Sequence, residues 1–311
     1  MVRMKLGLIG IGKVGSQILT DIQYLNLFSE IVVIDTNEQL ARGEVVDHQH
    51  AQGLKSMNRI QIKCGDYQDL SDADVVVVTA SVETDPNMPD RTALTKGNIT
   101  VVTDIMNRIN HVTQQPLIIF VSNPVDTMTY IATQVNDYPN HKIMGTGTLL
   151  ESARFRTLIA DHFEIDPKSV EGFVIGEHGQ HAVPVWSKTT IAGMPLVEFE
   201  SLSNKPKIDR MYITQQIDKV SFDVFHDKGW TNVAIAKTTV ELVKSLIFNE
   251  KSILPLTSLA SNGYLAVSLP TLVTRQGIEQ VFEIVLDATE QEQFEQAQAY
   301  IHQTIDTHYK R

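Results

Sequence analysis

Hydrophobic and polar positions follow two alternating periods along the first half of the chain. Short apolar runs rich in Val and Ile are typical of strands buried on both faces of a parallel sheet, and they lie at residues 5–9, 30–35, 74–80 and 117–122. Longer stretches with helical spacing separate these runs. The alternation of strand and helix predicts a doubly wound α/β domain with a parallel sheet over residues 1–145.

The pattern changes beyond residue 165, where strands and helices no longer alternate. Strand-like runs lie near residues 170–175, 183–191, 252–256 and 263–273, and helical stretches lie at 207–226, 231–248 and 289–309. These runs predict an α+β domain with antiparallel strands over residues 146–311. No low-complexity linker separates the halves, so we expect them to share an extensive interface.

A glycine-rich turn follows the first apolar run. Gly10 suits a tight turn, Gly12 lets the backbone approach a pyrophosphate at the helix N-terminus, and Gly15 allows close packing of helix on strand. The next strand ends in Asp35, an acid that can accept from ribose hydroxyls and would repel a 2′-phosphate. The spacing predicts a Rossmann-type domain that binds NAD. The alternative is a glycine-rich turn in another βαβ unit.

A second glycine-flanked turn lies in the other half of the chain. Gly176 and Gly179 enclose Glu177 and His178 directly after an apolar run. An imidazole at a strand end can donate or accept a proton near neutral pH, although a lone histidine in a turn is more often structural. His181 raises the alternative of a metal site. A glycine-containing turn holds a metal poorly, so we predict none.

Three further polar segments follow predicted strands or begin predicted helices. Residues 81–91 form a loop that ends at Arg91, at the edge where doubly wound sheets bind ligands. Asn123 precedes a proline at the end of the next strand. Glu151 and Arg154 lie three residues apart and share one helix face. Each has an ordinary structural explanation: a solvated cation, a turn or a surface ion pair.

Charge and cysteine content narrow the class of protein. The 311 residues carry a formal net charge of −11, which disfavours binding to nucleic acid or an anionic membrane. A small anionic substrate would need a local cationic pocket. The one cysteine, Cys64, excludes an intrachain disulfide and fits a reducing compartment. The apolar run that includes Leu6 is too short for a signal or a membrane span, so we expect a cytoplasmic protein.

Several motifs, taken in order, resemble the L-lactate/malate dehydrogenase family over nearly the whole chain. They are GLIGIGKVG (7–15), IVVID (31–35), SNPVD (122–126), GTGTLLESARFR (145–156), GEHG (176–179) and KGWT (228–231). The resemblance is closest to its L-2-hydroxyisocaproate and L-lactate dehydrogenase branch. It implies an NAD-dependent L-2-hydroxy acid dehydrogenase, acting on pyruvate or on a larger uncharged 2-oxo acid such as 2-oxoisocaproate, and a homodimer or homotetramer. A non-catalytic NAD-binding protein of the same fold is the alternative.

The resemblance also implies roles for individual residues. His178 would be the proton donor when a 2-oxo acid is reduced, and Glu151 would be its carboxylate partner. Arg91 would polarise the substrate carbonyl, and Arg154 would hold the substrate carboxylate. Asn123, Thr231 and Asp85 would contact the substrate. The cofactor-binding positions would be Gly10, Gly12, Val14, Gly15, Asp35, Thr79, Ala80, Ser81, Val121 and Asn123.

The chain departs from the family pattern at positions that affect chemistry. The partner of the histidine is usually aspartate, and here it is Glu151. Ser81 replaces a glycine where the backbone meets the cofactor. Asp85, six residues before Arg91, would repel a second substrate carboxylate, which argues against malate or oxaloacetate.

Overall fold

The described strands form an 11-stranded mixed sheet, which helices cover on both faces, and a separate three-stranded sheet. The computed structural model describes residues 4–82 and 91–309, without the side chains of residues 91–93. The strands are β1 (Lys5–Ile9), β2 (Glu30–Ile34), β3 (Gln61–Cys64), β4 (Val75–Val78), β5 (Leu117–Phe120), β6 (Ile143–Gly145), β7 (Val170–Glu171), β8 (Val174–Gly176), β9 (Ala182–Pro184), β10 (Thr190–Ile191), β11 (Met194–Pro195), β12 (Ile253–Leu259), β13 (Ala266–Thr274) and β14 (Gly277–Val281).

The helices alternate with the strands in the first half and cluster in the second. They are α1 (Lys13–Leu25), α2 (Glu38–Ala51), α3 (Arg91–Val112), α4 (Val125–Gln134), α5 (Leu149–Phe163), α6 (Leu196–Leu202), α7 (Arg210–Lys228), α8 (Val233–Phe248) and α9 (Ala288–His308). None of the helices in the described ranges is long and apolar enough to cross a membrane.

The sheet confirms the predicted fold class. Strands β3-β2-β1-β4-β5-β6 pair in parallel, as the alternating pattern predicts. The order continues through β12-β13-β8-β9, and these later pairings are antiparallel. The two halves therefore share one sheet, joined where Thr257 of β12 pairs with Gly145 of β6. The domain boundary between residues 145 and 146 stays a prediction.

Alternating side chains of the buried strands supply two cores. In β4, Val75 and Val77 face the core that packs against α1 and α8, whereas Val76 and Val78 face the core that packs against α3, α4 and α9. Both faces of the central strands are thus covered, which explains their continuous valine and isoleucine content. The covered faces leave the carboxyl ends of the strands as the accessible edge.

Short elements of the second half were the least predictable. The helix α6 and the strand β14 have no counterpart in the expected pattern. The sequence pattern predicts one strand over residues 183–191, but a 3₁₀ turn at Trp186–Lys188 divides this run into β9 and β10. Apolar runs of two or three residues carry too little periodicity to separate a strand from a turn.

Candidate active site

The first and third glycines of the glycine turn make contacts that leave no room for side chains. Gly10 has a φ of +93°, and a Cβ on it would lie 2.5 Å from the backbone nitrogen of Ala80. A Cβ on Gly15 would lie 2.2 Å from the carbonyl oxygen of Gly10. The sequence therefore brings the end of β1, the start of α1 and the end of β4 into backbone contact.

The beginning of α1 has the properties of an anion site. Its N-cap is Gly12, none of the described side chains caps the helix, and no acid lies in the first turn. A Cβ on Gly12 would meet no atom within 4 Å, so the backbone there faces open space. Free N–H groups and the positive helix end fit the pyrophosphate of a dinucleotide. Val14 lies beside them, packed against the core.

Asp35 at the end of β2 is fixed by two backbone bonds. Its Oδ2 accepts from the backbone N–H of Ile11 at 2.7 Å, and its Oδ1 accepts from the backbone N–H of Asn37 at 2.7 Å. The carboxylate thereby orients the glycine turn. Each of its oxygens keeps a second lone pair for ribose hydroxyls. Thr79 supports the same turn, since its hydroxyl donates to the carbonyl of Gly10 at 2.8 Å.

A buried asparagine that sequence analysis did not single out joins two of the ligand loops. Asn98 of α3 is fully buried. Its Oδ1 accepts from the backbone N–H of Val82 at 2.8 Å, and its Nδ2 donates to the carbonyl of Asn123 at 2.7 Å. The Ser81 hydroxyl lies 3.0 Å from the same Nδ2. Ser81, the residue that replaces a glycine, is therefore part of a hydrogen-bonded network.

The end of β5 adjoins the end of β4 in the same network. Val121 is buried and donates its backbone N–H to Val78 at 2.9 Å. The Ser122 hydroxyl donates to the carbonyl of Ala80 at 2.6 Å. A cis peptide precedes Pro124. These contacts leave the Asn123 side chain exposed at the carboxyl edge of the sheet.

The histidine turn follows β8 and is shaped by its two glycines. Gly176 and Gly179 have φ values of +91° and +151°, and a Cβ on Gly179 would lie 2.5 Å from Glu177 Oε1. The Glu177 carboxylate folds back and accepts from the backbone N–H of His181 at 2.9 Å. The His181 ring packs against Tyr300 of α9, with centroids 4.5 Å apart. The turn thus separates His181 from His178.

One buried carboxylate connects the two cationic side chains of the site. Glu151 Oε1 lies 3.1 Å from His178 Nδ1 and 3.5 Å from Arg154 Nη1. The side chains of Glu151, Arg154 and His178 are 5%, 14% and 20% exposed, so water screens these charges weakly. The contact between Glu151 and His178 has the distance of an ion pair, but its geometry is not that of a well-directed hydrogen bond. The other carboxylate oxygen, Glu151 Oε2, has no partner among the described residues.

The acids around His178 favour its charged form. Burial disfavours an imidazolium, but Glu151, Asp126 and Glu177 together outweigh burial and raise the pKa of His178 to about 9. Burial also opposes the charge on Glu151, yet His178 and Arg154 leave the pKa of this carboxyl below its usual value. At neutral pH the pair is therefore an imidazolium facing a carboxylate, with its proton available for donation.

Asp126, at the start of α4, holds the histidine turn through a hydrogen bond to its backbone. Its buried carboxyl accepts from the backbone N–H of His178 at 2.7 Å and from the hydroxyl of Thr257. Burial, followed by the charge of Glu177, raises the pKa of Asp126 to about 7. Sequence analysis missed this residue. Its position three residues after Asn123, inside the SNPVD motif, was the available signal.

We expect Asp126→Asn to keep the fold and to remove one source of pH dependence. A carboxyl whose pKa is raised in the folded state stabilises most below its unfolded pKa of about 3.9, and this contribution is lost as pH rises to about 7. The amide resembles the protonated acid and does not ionise. The free energy of unfolding of the variant, measured by urea titration between pH 4 and 8, should therefore decline less than that of the parent. Equal slopes would contradict the assignment.

Of the remaining predicted residues, two have side chains outside the described part of the chain and one is half-buried. Asp85 and the side chain of Arg91 fall outside the described residues, although Arg91 begins α3. Thr231 is half-buried and lies two residues before α8, a helix that packs against both α1 and α5. Within residues 4–82 and 91–309, no group of three His, Cys, Asp or Glu side chains could hold a metal ion.

The arrangement of these groups defines a class of protein. An uncapped helix end behind a glycine turn lies at the same sheet edge as a carboxylate-paired imidazole and a guanidinium. These are the parts of a nucleotide-dependent dehydrogenase whose substrate is an anion.

Comparison with known proteins identifies the family. Residues 4–145 match the model of the lactate/malate dehydrogenase NAD binding domain, and residues 148–311 match that of the lactate/malate dehydrogenase alpha/beta C-terminal domain. The chain belongs to the lactate/malate dehydrogenase family, as its motifs predicted. It is an NAD-dependent oxidoreductase of 2-hydroxy acids, and NAD is its cofactor.

Individual relatives agree with this assignment. An L-lactate dehydrogenase from Selenomonas ruminantium is 35% identical over 310 residues, with 98% of each chain covered. L-lactate dehydrogenase 2 from Clostridium acetobutylicum is 37% identical, with 94% of this chain and 93% of the relative covered. The crystal structure of the minor L-lactate dehydrogenase from Enterococcus mundtii superposes with a TM-score of 0.92 at 28% identity, with 99% of each chain covered.

Proposed function

We propose that this protein reduces a 2-oxo acid with an uncharged side chain to the L-2-hydroxy acid, and that His178, Glu151 and Arg154 carry the reaction. The observation that supports it most directly is the shared contact of Glu151 with the imidazole and the guanidinium, 3.1 Å and 3.5 Å away. A proton donor and a carboxylate-binding cation are the two groups that this reduction requires.

His178 is the proposed acid. Its Nδ1 faces Glu151, which leaves Nε2 to point toward the substrate oxygen. Bound NADH supplies the hydride. The His178 proton then goes to the carbonyl oxygen, and Glu151 stabilises the imidazolium before transfer and fixes the tautomer after it. Arg91 is proposed to stabilise the charge on the substrate oxygen.

Arg154 is the proposed anchor of the substrate carboxylate. Its Nη1 lies 3.4 Å from the carbonyl oxygen of Ile217 and 3.5 Å from Glu151 Oε1. Burial lowers the pKa of Arg154, and the charges of Glu151 and Asp218 oppose this effect. These long contacts leave guanidinium donors for a bidentate bond to the substrate, which Asn123 and Thr231 are also proposed to contact.

Two substrate ranges fit this site. Asp85 in the substrate loop disfavours a second carboxylate, so we propose pyruvate or a larger uncharged 2-oxo acid such as 2-oxoisocaproate. The curated relatives named above are L-lactate dehydrogenases, which favours pyruvate as the main substrate. The predicted homodimer or homotetramer and the cytoplasmic location also stay predictions.

A substrate panel tests the proposal. The purified protein is mixed with NADH and, separately, with pyruvate, 2-oxoisocaproate, phenylpyruvate and oxaloacetate, and NADH oxidation is followed by absorbance. We expect turnover with at least one monocarboxylate and little with oxaloacetate. NADH binding without turnover of any substrate would support the non-catalytic alternative. Oxaloacetate as the best substrate would overturn only the argument from Asp85.

We expect Glu151→Asp to retain or raise activity. The glutamate reaches His178 with a poorly directed contact, so the shorter acid loses little while keeping the charge. Glu151→Gln is the matched control, because it keeps the shape and removes the charge that supports the imidazolium. We expect its kcat/KM for the 2-oxo acid to fall about tenfold or more. A loss beyond about tenfold in Glu151→Asp would mean that the pocket is built around glutamate.

A further inference from the structure

One face of α1 contacts the segment around the start of α8. Lys13, Gln17 and Asp21 lie four residues apart, so their side chains share one stripe of the helix. Gln17 Oε1 accepts from Asn232 Nδ2 at 3.4 Å, and Lys237 Nζ lies 3.4 Å from an Asp21 oxygen. The stripe begins at the cofactor end of α1 and holds the neighbouring segment along two turns.

Lys13 occupies the end of this stripe beside the glycine turn. Its Nζ lies 4.8 Å from the ring centroid of Trp230, which is 39% exposed. Within residues 4–82 and 91–309, it makes no ion pair with a carboxylate. Lys13 is also the first residue of α1, where the backbone N–H groups are uncapped. The first residue of the helix whose N-terminus fits the cofactor pyrophosphate thus carries an ammonium that has no acid partner in the described part of the chain.

A second lysine can replace Lys13 beside the indole ring of Trp230. Lys228 approaches the same Trp230 ring, with its Nζ 5.7 Å from the centroid, and also donates to Asn232 Oδ1. The ring therefore keeps a cation when Lys13 moves away. A phosphate attracts an ammonium more strongly than an exposed ring does, because it offers a full charge and several acceptor oxygens.

We propose that Lys13 binds the cofactor pyrophosphate, and that its shift from the Trp230 ring links cofactor binding to the loop at residues 228–232. That loop carries Thr231, which was predicted to line the substrate pocket. Lys13 is not one of the three glycines of the fingerprint, so it adds a charge to a site otherwise formed by backbone. The inference rests on NAD as the cofactor and is independent of the substrate.

Binding of ADP-ribose, measured by calorimetry, tests whether Lys13 binds the pyrophosphate. ADP-ribose carries the pyrophosphate and lacks nicotinamide, so turnover does not enter the measurement. We expect Lys13→Gln to weaken ADP-ribose binding about tenfold at low ionic strength. The difference in affinity between variant and parent should decrease as added salt screens the charge. Lys13→Arg should restore most of the affinity. Adenosine, which has no phosphate, should bind parent and variant equally.

Lys237→Gln is the matched control, because it removes the same charge from the other end of the stripe. Lys237 is 65% exposed and pairs with Asp21, two turns from the glycine turn. We expect ADP-ribose affinity within about twofold of the parent. Equal binding of ADP-ribose by Lys13→Gln and the parent at low salt would overturn the proposal, as would equal losses in both variants.

Tryptophan fluorescence tests whether the shift of Lys13 links cofactor binding to the loop at residues 228–232. The chain has two tryptophans, so Trp186→Phe leaves Trp230 as the single reporter. We expect ADP-ribose to change its emission, because an ammonium leaves the ring, and we expect no such change when Lys13→Gln is added. An emission change of the same size without Lys13 would overturn the link to the loop. If Trp186→Phe fails to fold, ADP-ribose difference spectra of parent and Lys13→Gln give the same comparison.

Discussion

Replacing His178 by glutamine is expected to lower kcat/KM for 2-oxo acid reduction by roughly 10²–10⁴-fold. Glutamine has a similar length and can reach Glu151, but it has no proton to donate near neutral pH. The loss should appear in kcat, because the proton is transferred in the transition state. NADH affinity, measured by fluorescence titration, should stay within about twofold, since His178 does not contribute to the glycine turn.

The neighbouring histidine provides the matched control. His181 lies in the same turn, but its ring packs against Tyr300 with centroids 4.5 Å apart. His181→Gln should therefore keep kcat/KM within about threefold of the parent. Similar losses in the two variants would show that the turn as a whole is sensitive, and the assignment of His178 as the acid would fail.

The pH profile of the parent gives a second readout of the same group. The pKa of His178 is raised to about 9, so the imidazolium persists below that pH. Reduction needs the protonated form, and kcat/KM should be level through neutral pH and fall as pH passes about 9. Oxidation of the 2-hydroxy acid needs the neutral form and should rise over the same interval. If the fall in kcat/KM at alkaline pH stays in His178→Gln, it belongs to another residue.

The sequence could predict the cofactor half because its signals are local. Gly10, Gly12 and Gly15 lie within one turn, and the chain conformation they permit is a property of the backbone itself. Asp35 follows at the end of the next strand, where parallel pairing places it next to the turn. The end of β4 also supports the turn, but the fingerprint can be recognised from neighbouring elements alone, so their spacing along the chain was sufficient to predict it.

The proposed catalytic roles could be predicted only through family resemblance. Glu151 and His178 are 27 residues apart in the chain and meet because α5 packs against β8. Spacing alone says that Glu151 and Arg154 share a helix face, but it does not say which residue that face meets. A change from aspartate to glutamate is visible in the sequence. Only the structure shows that the contact is poorly directed and that Oε2 has no partner among the described residues.

Buried polar residues that connect the loops were the main omission. Asp126 reaches the His178 backbone across 52 residues of sequence, and Asn98 reaches Asn123 across 25 residues. In the sequence both occur within helices, where a polar residue most often faces solvent. Only packing shows that these side chains point into the sheet edge, where an unpaired polar group would be costly and each hydrogen bond positions a loop.

Replacing Arg154 by lysine is expected to raise KM for the 2-oxo acid roughly thirtyfold to a hundredfold, with NADH affinity unchanged. Lysine keeps the charge but loses the planar pair of donors that binds a carboxylate in two places. The side chain is 14% exposed, so water cannot replace the lost bond effectively. Initial rates over a range of substrate at saturating NADH, combined with NADH titration by fluorescence, separate the two affinities.

Arg156, two residues further along α5, is the control for this variant. The two side chains point to different faces, and Arg156 Nη1 donates to the carbonyl of Gly172 at 3.0 Å. Lysine can make the same bond, so Arg156→Lys should change KM by no more than about threefold. If Arg154→Lys weakened NADH and substrate equally, Arg154 would be supporting the fold of the pocket. A selective rise in substrate KM is expected only if the guanidinium binds the substrate carboxylate.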